Sequence, residues 1–303
     1  MIKILRFAVV GHPVTQSASP AMHNAAFRAL DLPHRYDAMD ARDVGALGSV
    51  LAAMRKGVLA GVNITAPHKE AVLTLVDRRE PLVDELGAAN TIVRHFDGAL
   101  VAANTDAPAI VDQMKRLAPR TSTAVILGAG GAARAAMWAC REIGFRVVAV
   151  TTRSWSSSEA LYESASGEWF RKQGAMTVLW PAPTAVASSH LSSAIRLQGW
   201  DLAQGADLVI HATSAGGEGG PGGVAVAAAV PWDKLAKTAV AFDLRYGALE
   251  SPFLQAARNV GIRPVDGLDL LVNQGARSFE LWNTSTAPRE AMERAVREHL
   301  GLV

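Results

Sequence analysis

The sequence predicts an α/β protein of two domains separated by a cleft. Three observations carry that prediction. The chain has 303 residues, enough for two domains of ordinary size. Short apolar segments of strand type alternate with helical segments along it, the pattern of sheets layered with helices. The stretch Ala124–Arg134, AVILGAGGAAR, runs from an uncharged apolar segment into a glycine turn and then an Ala-rich helical segment. Strand, turn and helix in that order open a βαβ unit.

From the N-terminus, Arg6–Val10 reads as a strand broken by Gly11-His12-Pro13. A polar loop follows, and Pro20 opens a helix to about Leu30, with Ser19 as its N-cap. Arg35–Met39 is a strand, Val44–Met54 a helix, Gly61–Ile64 a strand and Val72–Leu75 helical. Asp97-Gly98 is a turn between Thr91–His95 and Ala99–Ala102, which makes a hairpin there. Asn104–Ala118 is a helix leading out of the first domain, ended by Pro119.

The second domain starts at Thr123. Its further strands are Arg146–Thr151, Ala175–Leu179, Asp207–His211 and Val240–Leu244, short apolar runs of the type buried in parallel sheets. Gly167–Gly205 reads as a helix and strand with an enlarged loop. Gly216–Gly223 is nearly all glycine and reads as a mobile loop or lid. Two helices, Leu268–Trp282 and Arg289–Leu300, close the chain.

The bulk composition excludes several function classes. Half the residues are hydrophobic, so a large core can form. Thirty Lys and Arg against 28 Asp and Glu leave a net charge of +2, which argues against a nucleic-acid surface built on bulk charge. A single cysteine, Cys140, rules out a disulfide framework and points to a reducing, cytoplasmic setting. No apolar run approaches a membrane span, and MIKILRFAVV is too short for a signal peptide. The histidines and the one cysteine show no metal-ligand spacing, so no metal is expected.

Within AVILGAGGAAR, Gly128, Gly130 and Ala133 spell G-x-G-x-x-A, a variant of the dinucleotide fingerprint. Such a turn brings the N–H groups of a helix N-terminus up to a pyrophosphate. A glycine turn without a ligand gives the same pattern. The strand before it, the helix after it and the second strand beyond favour the Rossmann-type reading.

Four polar blocks then carry a resemblance to a known family. They are Gly11–Pro20 (GHPVTQSASP), Asn63–Lys69 (NITAPHK), Gly87–Thr91 (GAANT) with Asn104-Thr105-Asp106, and Gly267–Gln274 (GLDLLVNQ). Together with Gly128–Arg134, His211-Ala212-Thr213-Ser214 and Asp243-Leu244-Arg245-Tyr246, they occur in the order found in the shikimate dehydrogenase family, which this chain resembles over nearly its whole length. The resemblance implies that residues 1–106 with 267–303 form a substrate-binding domain and that 107–266 form an NADP-binding Rossmann domain.

It also implies residue roles. Lys69 and Asp106 match the catalytic pair. Ser17 and Ser19 match the hydroxyls that hold the substrate carboxylate, and Thr65, Asn90, Tyr246 and Gln274 match groups around the ring. Gly128, Ala129, Gly130, Gly131, Ala132, Thr152, Arg153, Ser154, Thr213, Ser214, Gly267 and Leu270 match cofactor contacts. The partner implied is a small hydroxy acid, with the protein acting as a monomer or homodimer.

The chemistry suits these residue types. Hydride transfer at a ring carbinol needs a base near the hydroxyl in one direction and an acid near the ketone oxygen in the other. Burial of Lys69 would favour its neutral amine and a charged Asp106 its ammonium. Taken singly, the residues have plainer readings. Lys69 after Pro-His suits a solvated loop, Asp106 a helix first turn, Ser17 and Ser19 a turn and cap, and Asn90 a turn. Residues such as Tyr246 and Gln274, seen singly, are more often structural than ligand-binding.

Cofactor choice turns on the end of the second strand of the Rossmann domain. An NAD site places an acid there; this chain has Val150-Thr151-Thr152-Arg153-Ser154. A charge-assisted bond from Arg153 to a 2′-phosphate is worth ~1.5–3 kcal/mol. NADP-type members resembling this chain carry Asn-Arg-Thr and a further Arg. Here Thr152, Ser154 and Ser157 stand at those positions, so NADP is expected with NAD as the alternative. The substrate alternatives within the family are quinate and an aminoshikimate. A non-catalytic cofactor-binding regulator and another two-domain dehydrogenase are further alternatives, set against Lys69, Asp106 and the two end blocks.

Overall fold

The computed structural model describes residues 4–117, 119–180, 204–213 and 221–303. The chain divides into two compact units, Met1–Ala109 with Leu268–Val303, and Ile110–Gly267.

The first unit is built on a mixed sheet. β1 (Arg6–Gly11), α1 (Ser19–Ala29), β2 (Arg35–Asp40), α2 (Val44–Arg55) and β3 (Gly61–Ile64) follow in turn. A 3-10 turn at Ala71–Thr74 leads to β4 (Arg78–Arg79) and α3 (Pro81–Leu86). β5 (Thr91–Arg94), β6 (Leu100–Ala103) and α4 (Asp106–Leu117) complete this part. The strand order is β2-β1-β3-β5-β6-β4. β1 runs parallel to β2 and β3, while β5 is antiparallel to both β3 and β6. The hairpin expected around Asp97-Gly98 is the β5–β6 pair. β4 and α3 were not foreseen: each is too short to show a periodicity.

Alternation along β1 divides the core into two layers. Ala8 and Val10 join Leu47, Leu51, Met54, Val62, Ile64 and Ile92 beneath α2. Phe7 faces the other way, with ring centroids 5.4 Å from Phe27 and 5.1 Å from Trp282. α1 buries Ser19, Met22, His23, Ala26 and Phe27, the spacing of one helical face. It starts one residue earlier than the sequence suggests. Ala18 is the N-cap, Ser19 is inside the helix, and Ser17 Oγ accepts the Ser19 N–H at 3.2 Å. The proline-compatible first turn accommodates Ser19-Pro20 together, which moves the capping position back.

The second unit holds β7 (Thr123–Leu127), α5 (Gly131–Glu142), β8 (Val147–Thr151), α6 (Ser158–Tyr162), α7 (Ala165–Lys172) and β9 (Met176–Thr177). β10 (Leu208–His211), α8 (Pro221–Ala229), β11 (Val240–Asp243), α9 (Pro252–Asn259) and β12 (Arg263–Val265) follow. Every strand pair is parallel, in the order β12-β11-β10-β7-β8-β9. Counted from β7 this is 3-2-1-4-5-6, the doubly wound order whose switch point lies between β7 and β10. β10 and β11 are buried along their whole length, as strands covered on both faces must be.

Of the expected loop Gly216–Gly223, residues 216–220 lie outside the described residues, and Gly222 and Gly223 belong to α8 rather than to a loop. α10 (Leu268–Asn283) and α11 (Arg289–His299) return to the first unit and pack with α1. No described helix is long and apolar enough to cross a membrane.

Candidate active site

Lys69 sits in the loop that leaves β3. Thr65 N–H donates to the Val10 carbonyl at 2.9 Å, and His68 N–H to the Thr65 carbonyl at 3.0 Å, so the loop folds tightly against β1. His68 is buried and its Nε2 lies 2.7 Å from the Ala41 carbonyl. A carbonyl only accepts, so Nε2 carries the proton. This anchor, together with the Ala89 N–H donating to the Lys69 carbonyl at 2.8 Å, holds the backbone on both sides of the Lys69 side chain.

Lys69 Nζ donates to Asp106 Oδ2 at 2.7 Å. Only 19% of the lysine and 14% of the aspartate side chain is exposed, so the pair is largely shielded from bulk water yet still reachable. Asp106 stands in the first turn of α4, where a carboxylate is favoured by the helix dipole. The capping job falls to Asn104, whose Oδ1 accepts the Ala107 N–H at 3.1 Å. Asp106 is therefore free of that task.

Asn90 completes the group. Its Nδ2 donates to Asp106 Oδ1 at 2.7 Å and approaches Gln274 Oε1 at 3.3 Å, and its Oδ1 accepts the Thr105 N–H at 2.7 Å. The backbone donor decides the orientation of the carboxamide, because only the oxygen can face it. Lys69, Asp106, Asn90 and Gln274 thus form one hydrogen-bonded cluster from four separate segments.

Ser17 and Ser19 lie at the start of α1, linked to each other. Thr65 leaves β3 at the head of the Lys69 loop, against Gly11. Hydrogen bonds among the described residues do not join these three side chains to the Lys69 cluster. Tyr246 belongs to the second unit, in the loop after β11.

In the second unit the glycine turn follows β7. Gly128 has φ +126°, and a Cβ there would lie 2.7 Å from the Ala212 carbonyl oxygen. Its N–H donates to the Thr151 carbonyl at 2.8 Å, which draws the turn onto β8. Ala129 precedes Gly130, the N-cap of α5, and Gly131 and Ala132 are its first residues. The amides ahead of Arg134, whose N–H donates to Gly130, have no acceptor within the helix. No acidic residue occupies that first turn. A helix N-terminus of this kind attracts an anion, and a residue without a Cβ lets one come close.

Thr152, Arg153 and Ser154 follow β8. Arg153 is exposed and makes no hydrogen bond or ion pair among the described residues. The segment Val150–Ser154 carries no carboxylate to take a ribose 2′-hydroxyl. A phosphate-bearing ribose suits this donor set better than a bare one.

Thr213 Oγ1 lies 2.8 Å from His211 Nε2 at the end of β10. His211 Nδ1 is 3.1 Å from Asp243 Oδ1 at the end of β11, at ion-pair distance but without hydrogen-bond alignment. Ser214 lies outside the described residues. Gly267 packs so closely that a Cβ would lie 2.4 Å from the Leu244 carbonyl oxygen. Leu270 is buried in α10.

Sequence reasoning missed the anchoring role of His68 and the hydroxyl group beneath Asn90, namely Thr91, Thr105 and Ser278, with Asn63. Thr91, Thr105 and His68 lie inside the quoted motifs. Nothing local signals Ser278, whose partners are distant in the chain.

A family profile described as the shikimate dehydrogenase substrate binding domain matches residues 9–92, and one described as the shikimate 5'-dehydrogenase C-terminal domain matches 267–297. The shikimate dehydrogenase (NADP(+)) of Moorella thermoacetica is 34% identical over 308 residues, covering 97% of this chain and 93% of its own. The crystal structure of shikimate 5-dehydrogenase from Thermus thermophilus in complex with NADP(H) and shikimate superposes with a TM-score of 0.77. It is 33% identical and covers 98% of this chain and 100% of its own. A 5-ketofructose reductase from Gluconobacter shares the fold, with a TM-score of 0.75 at 24% identity over 98% of this chain and 99% of its own.

Proposed function

The chain belongs to the shikimate dehydrogenase family, and from that premise we propose that it interconverts shikimate and 3-dehydroshikimate reversibly with NADP, Lys69 and Asp106 carrying the proton transfer. NADP, when bound, takes up or returns the hydride at the ring carbon that bears the reacting hydroxyl. Lys69 takes the proton from that hydroxyl in oxidation and gives one to the ketone oxygen in reduction. Asp106 orients the Lys69 amine and accepts a hydrogen bond from the substrate. Asn90 holds the carboxylate of Asp106 in place from its other oxygen.

The observation that carries this reading is the 2.7 Å contact of Lys69 with Asp106, shielded and braced by Asn90. Ser17 and Ser19 suit the substrate carboxylate, since hydroxyls at a helix start meet an anion together with the helix dipole. Thr65, Asn90 and Gln274 are assigned to the ring and its hydroxyls; Tyr246 joins them on the resemblance alone. Gly128, Ala129, Gly130, Gly131 and Ala132 are assigned to the pyrophosphate, and Thr152, Arg153 and Ser154 to the 2′-phosphate. Thr213, Ser214, Gly267 and Leu270 are assigned to the rest of the cofactor. The reading makes the protein a cytoplasmic enzyme acting as a monomer or homodimer, which light scattering distinguishes.

The test is a steady-state matrix of shikimate, quinate and aminoshikimate against NADP⁺ and NAD⁺, followed by absorbance of the reduced nicotinamide. The highest kcat/KM is expected for shikimate with NADP⁺. No turnover of any of the three would overturn the enzymatic reading. A Lys69→Ala variant with full turnover would overturn the proton-transfer role.

A further inference from the structure

Ser278 lies midway along α10, on the face turned to the sheet, and is fully buried. Its neighbours along that face are apolar: Leu271, Val272, Ala276 and Phe279 are all buried. Alanine would serve there with better helix propensity and no polar atom to satisfy. The hydroxyl is instead the hub of a polar cluster. Asn63 Nδ2 donates to it at 2.8 Å, Thr91 Oγ1 lies at 2.8 Å and Thr105 Oγ1 at 3.2 Å. It also bonds the carbonyl of Gln274, one turn earlier, at 3.1 Å.

The three hydroxyls form a triangle, since Thr91 and Thr105 are themselves 3.3 Å apart. Both threonines reach Asn90: each Oγ1 lies 3.2 Å from its Oδ1, and Nδ2 approaches Thr105 Oγ1 at 2.9 Å, with one proton per hydroxyl to share between Asn90 and Ser278. On the far side Tyr36 donates to Asn63 Oδ1 at 2.7 Å, and the Asn90 carbonyl, which only accepts, takes a hydrogen bond from Asn63 Nδ2 at 3.2 Å and fixes the amide with its nitrogen towards Ser278. A continuous chain of contacts therefore runs from Ser278 through Thr91 and Thr105 to Asn90, and from Asn90 to Asp106 and Lys69.

We infer that Ser278 is a positioning residue for the proton-transfer pair, acting through the Thr91 and Thr105 hydroxyls to hold the Asn90 carboxamide against Asp106. Without its hydroxyl the two threonines lose a shared partner, and their protons redistribute among fewer acceptors. The carboxamide is then less sharply placed, and so is the carboxylate it braces. The helix that carries Gln274 also loses its polar tie to β3, β5 and the start of α4. The inference rests on the proposed role of Lys69 and Asp106.

The test uses the full-length enzyme with shikimate and NADP⁺, comparing wild type, Ser278→Ala, Asn90→Ala and the double variant. Ser278→Ala is expected to lower kcat about five- to tenfold, with the KM for NADP⁺ unchanged, the loss of roughly one neutral hydrogen bond. In the Asn90→Ala background the same substitution is expected to change kcat by less than about twofold, because the element it acts through is gone.

An equal factor in both backgrounds, or no loss in the wild-type background, overturns the inference. Ser278→Cys, similar in size but a poor hydrogen-bonding partner, should follow Ser278→Ala and serves if the alanine variant does not fold. Failure of both variants to fold would make Ser278 a purely structural residue and also overturns it. Lys69→Ala separates the two levels. Its retention of turnover refutes the underlying reading, whereas its loss alongside a fully active Ser278→Ala refutes this inference alone.

Discussion

Asp106→Asn is the most informative single substitution in the first unit. The side chain keeps its shape and loses its charge. Asp106 Oδ1 accepts from Asn90 Nδ2 and Oδ2 from Lys69 Nζ, both at 2.7 Å. An amide can offer an oxygen to only one of them. If its oxygen faces Asn90, its NH₂ group faces Lys69 Nζ, which loses the oxygen it donates to; if it turns over, the loss moves to Asn90. Asn90 has no freedom to turn, because its own oxygen is held by the Thr105 N–H.

One charge-assisted hydrogen bond is lost in either case, worth about 1.5–3 kcal/mol, or about tenfold to two-hundredfold in rate. Because the pair is shielded, solvent compensates little. The assay is the initial rate of shikimate oxidation at saturating NADP⁺, with the thermal midpoint measured on the same sample. A kcat within threefold of wild type would refute the reasoning that Asp106 holds Lys69 for proton transfer.

Three further outcomes are expected. Arg153→Ala should raise the KM for NADP⁺ about tenfold to two-hundredfold and leave that for NAD⁺ unchanged, since one charge-assisted contact to the 2′-phosphate is removed; the cofactor matrix reads it directly. Gly128→Ala combines a Cβ 2.7 Å from a carbonyl oxygen with a φ of +126°, so it should abolish measurable cofactor binding in a fluorescence titration. The third concerns His23, which is fully buried, stacked on Tyr36 at 4.3 Å, and lowered by that burial to about 3. The unfolded chain takes up this proton near pH 6.5 and the folded protein only near 3. Stability should therefore be complete above pH 6.5 and fall with decreasing pH at up to about 1.4 kcal/mol per unit. A His23→Phe variant with an equally steep pH dependence of the urea midpoint between pH 6.5 and 4 would contradict this.

Much of the fold was legible because its signals are local. The apolar run before Gly128, the Ala-rich helix after it and the alternation of strands and helices each follow from periodicity and turn chemistry within a dozen residues. The mixed character of the first sheet was only partly legible. The hairpin at Asp97-Gly98 announces β5 and β6, but nothing between Ile64 and Thr91 states that β5 runs antiparallel to β3. The helix Pro81–Leu86 and the two-residue strand β4 carry too few residues for a pattern to show.

In the candidate site, Lys69, Asp106, Asn90 and Gln274 stood out through motifs of polar residues, and the fold brings all four together. Ser19 was misread as a cap because Ser before Pro fits that position, whereas the chain places both residues inside the helix.

By itself, the sequence determined the layered architecture, the dinucleotide-type turn, the missing acid beside Arg153 and the residue types available for proton transfer. Each is a property of neighbouring residues, and short-range sterics and periodicity set it. Only the tertiary structure decided which polar groups meet. Asn63 and Ser278 are 215 positions apart, and Asn90 reaches Gln274 across 184. His68 finds its partner in a carbonyl, which has no residue identity for the sequence to display. Hydrogen bonds act over about 3 Å, so their partners are chosen by how helix and sheet pack, and that packing depends on the whole core at once.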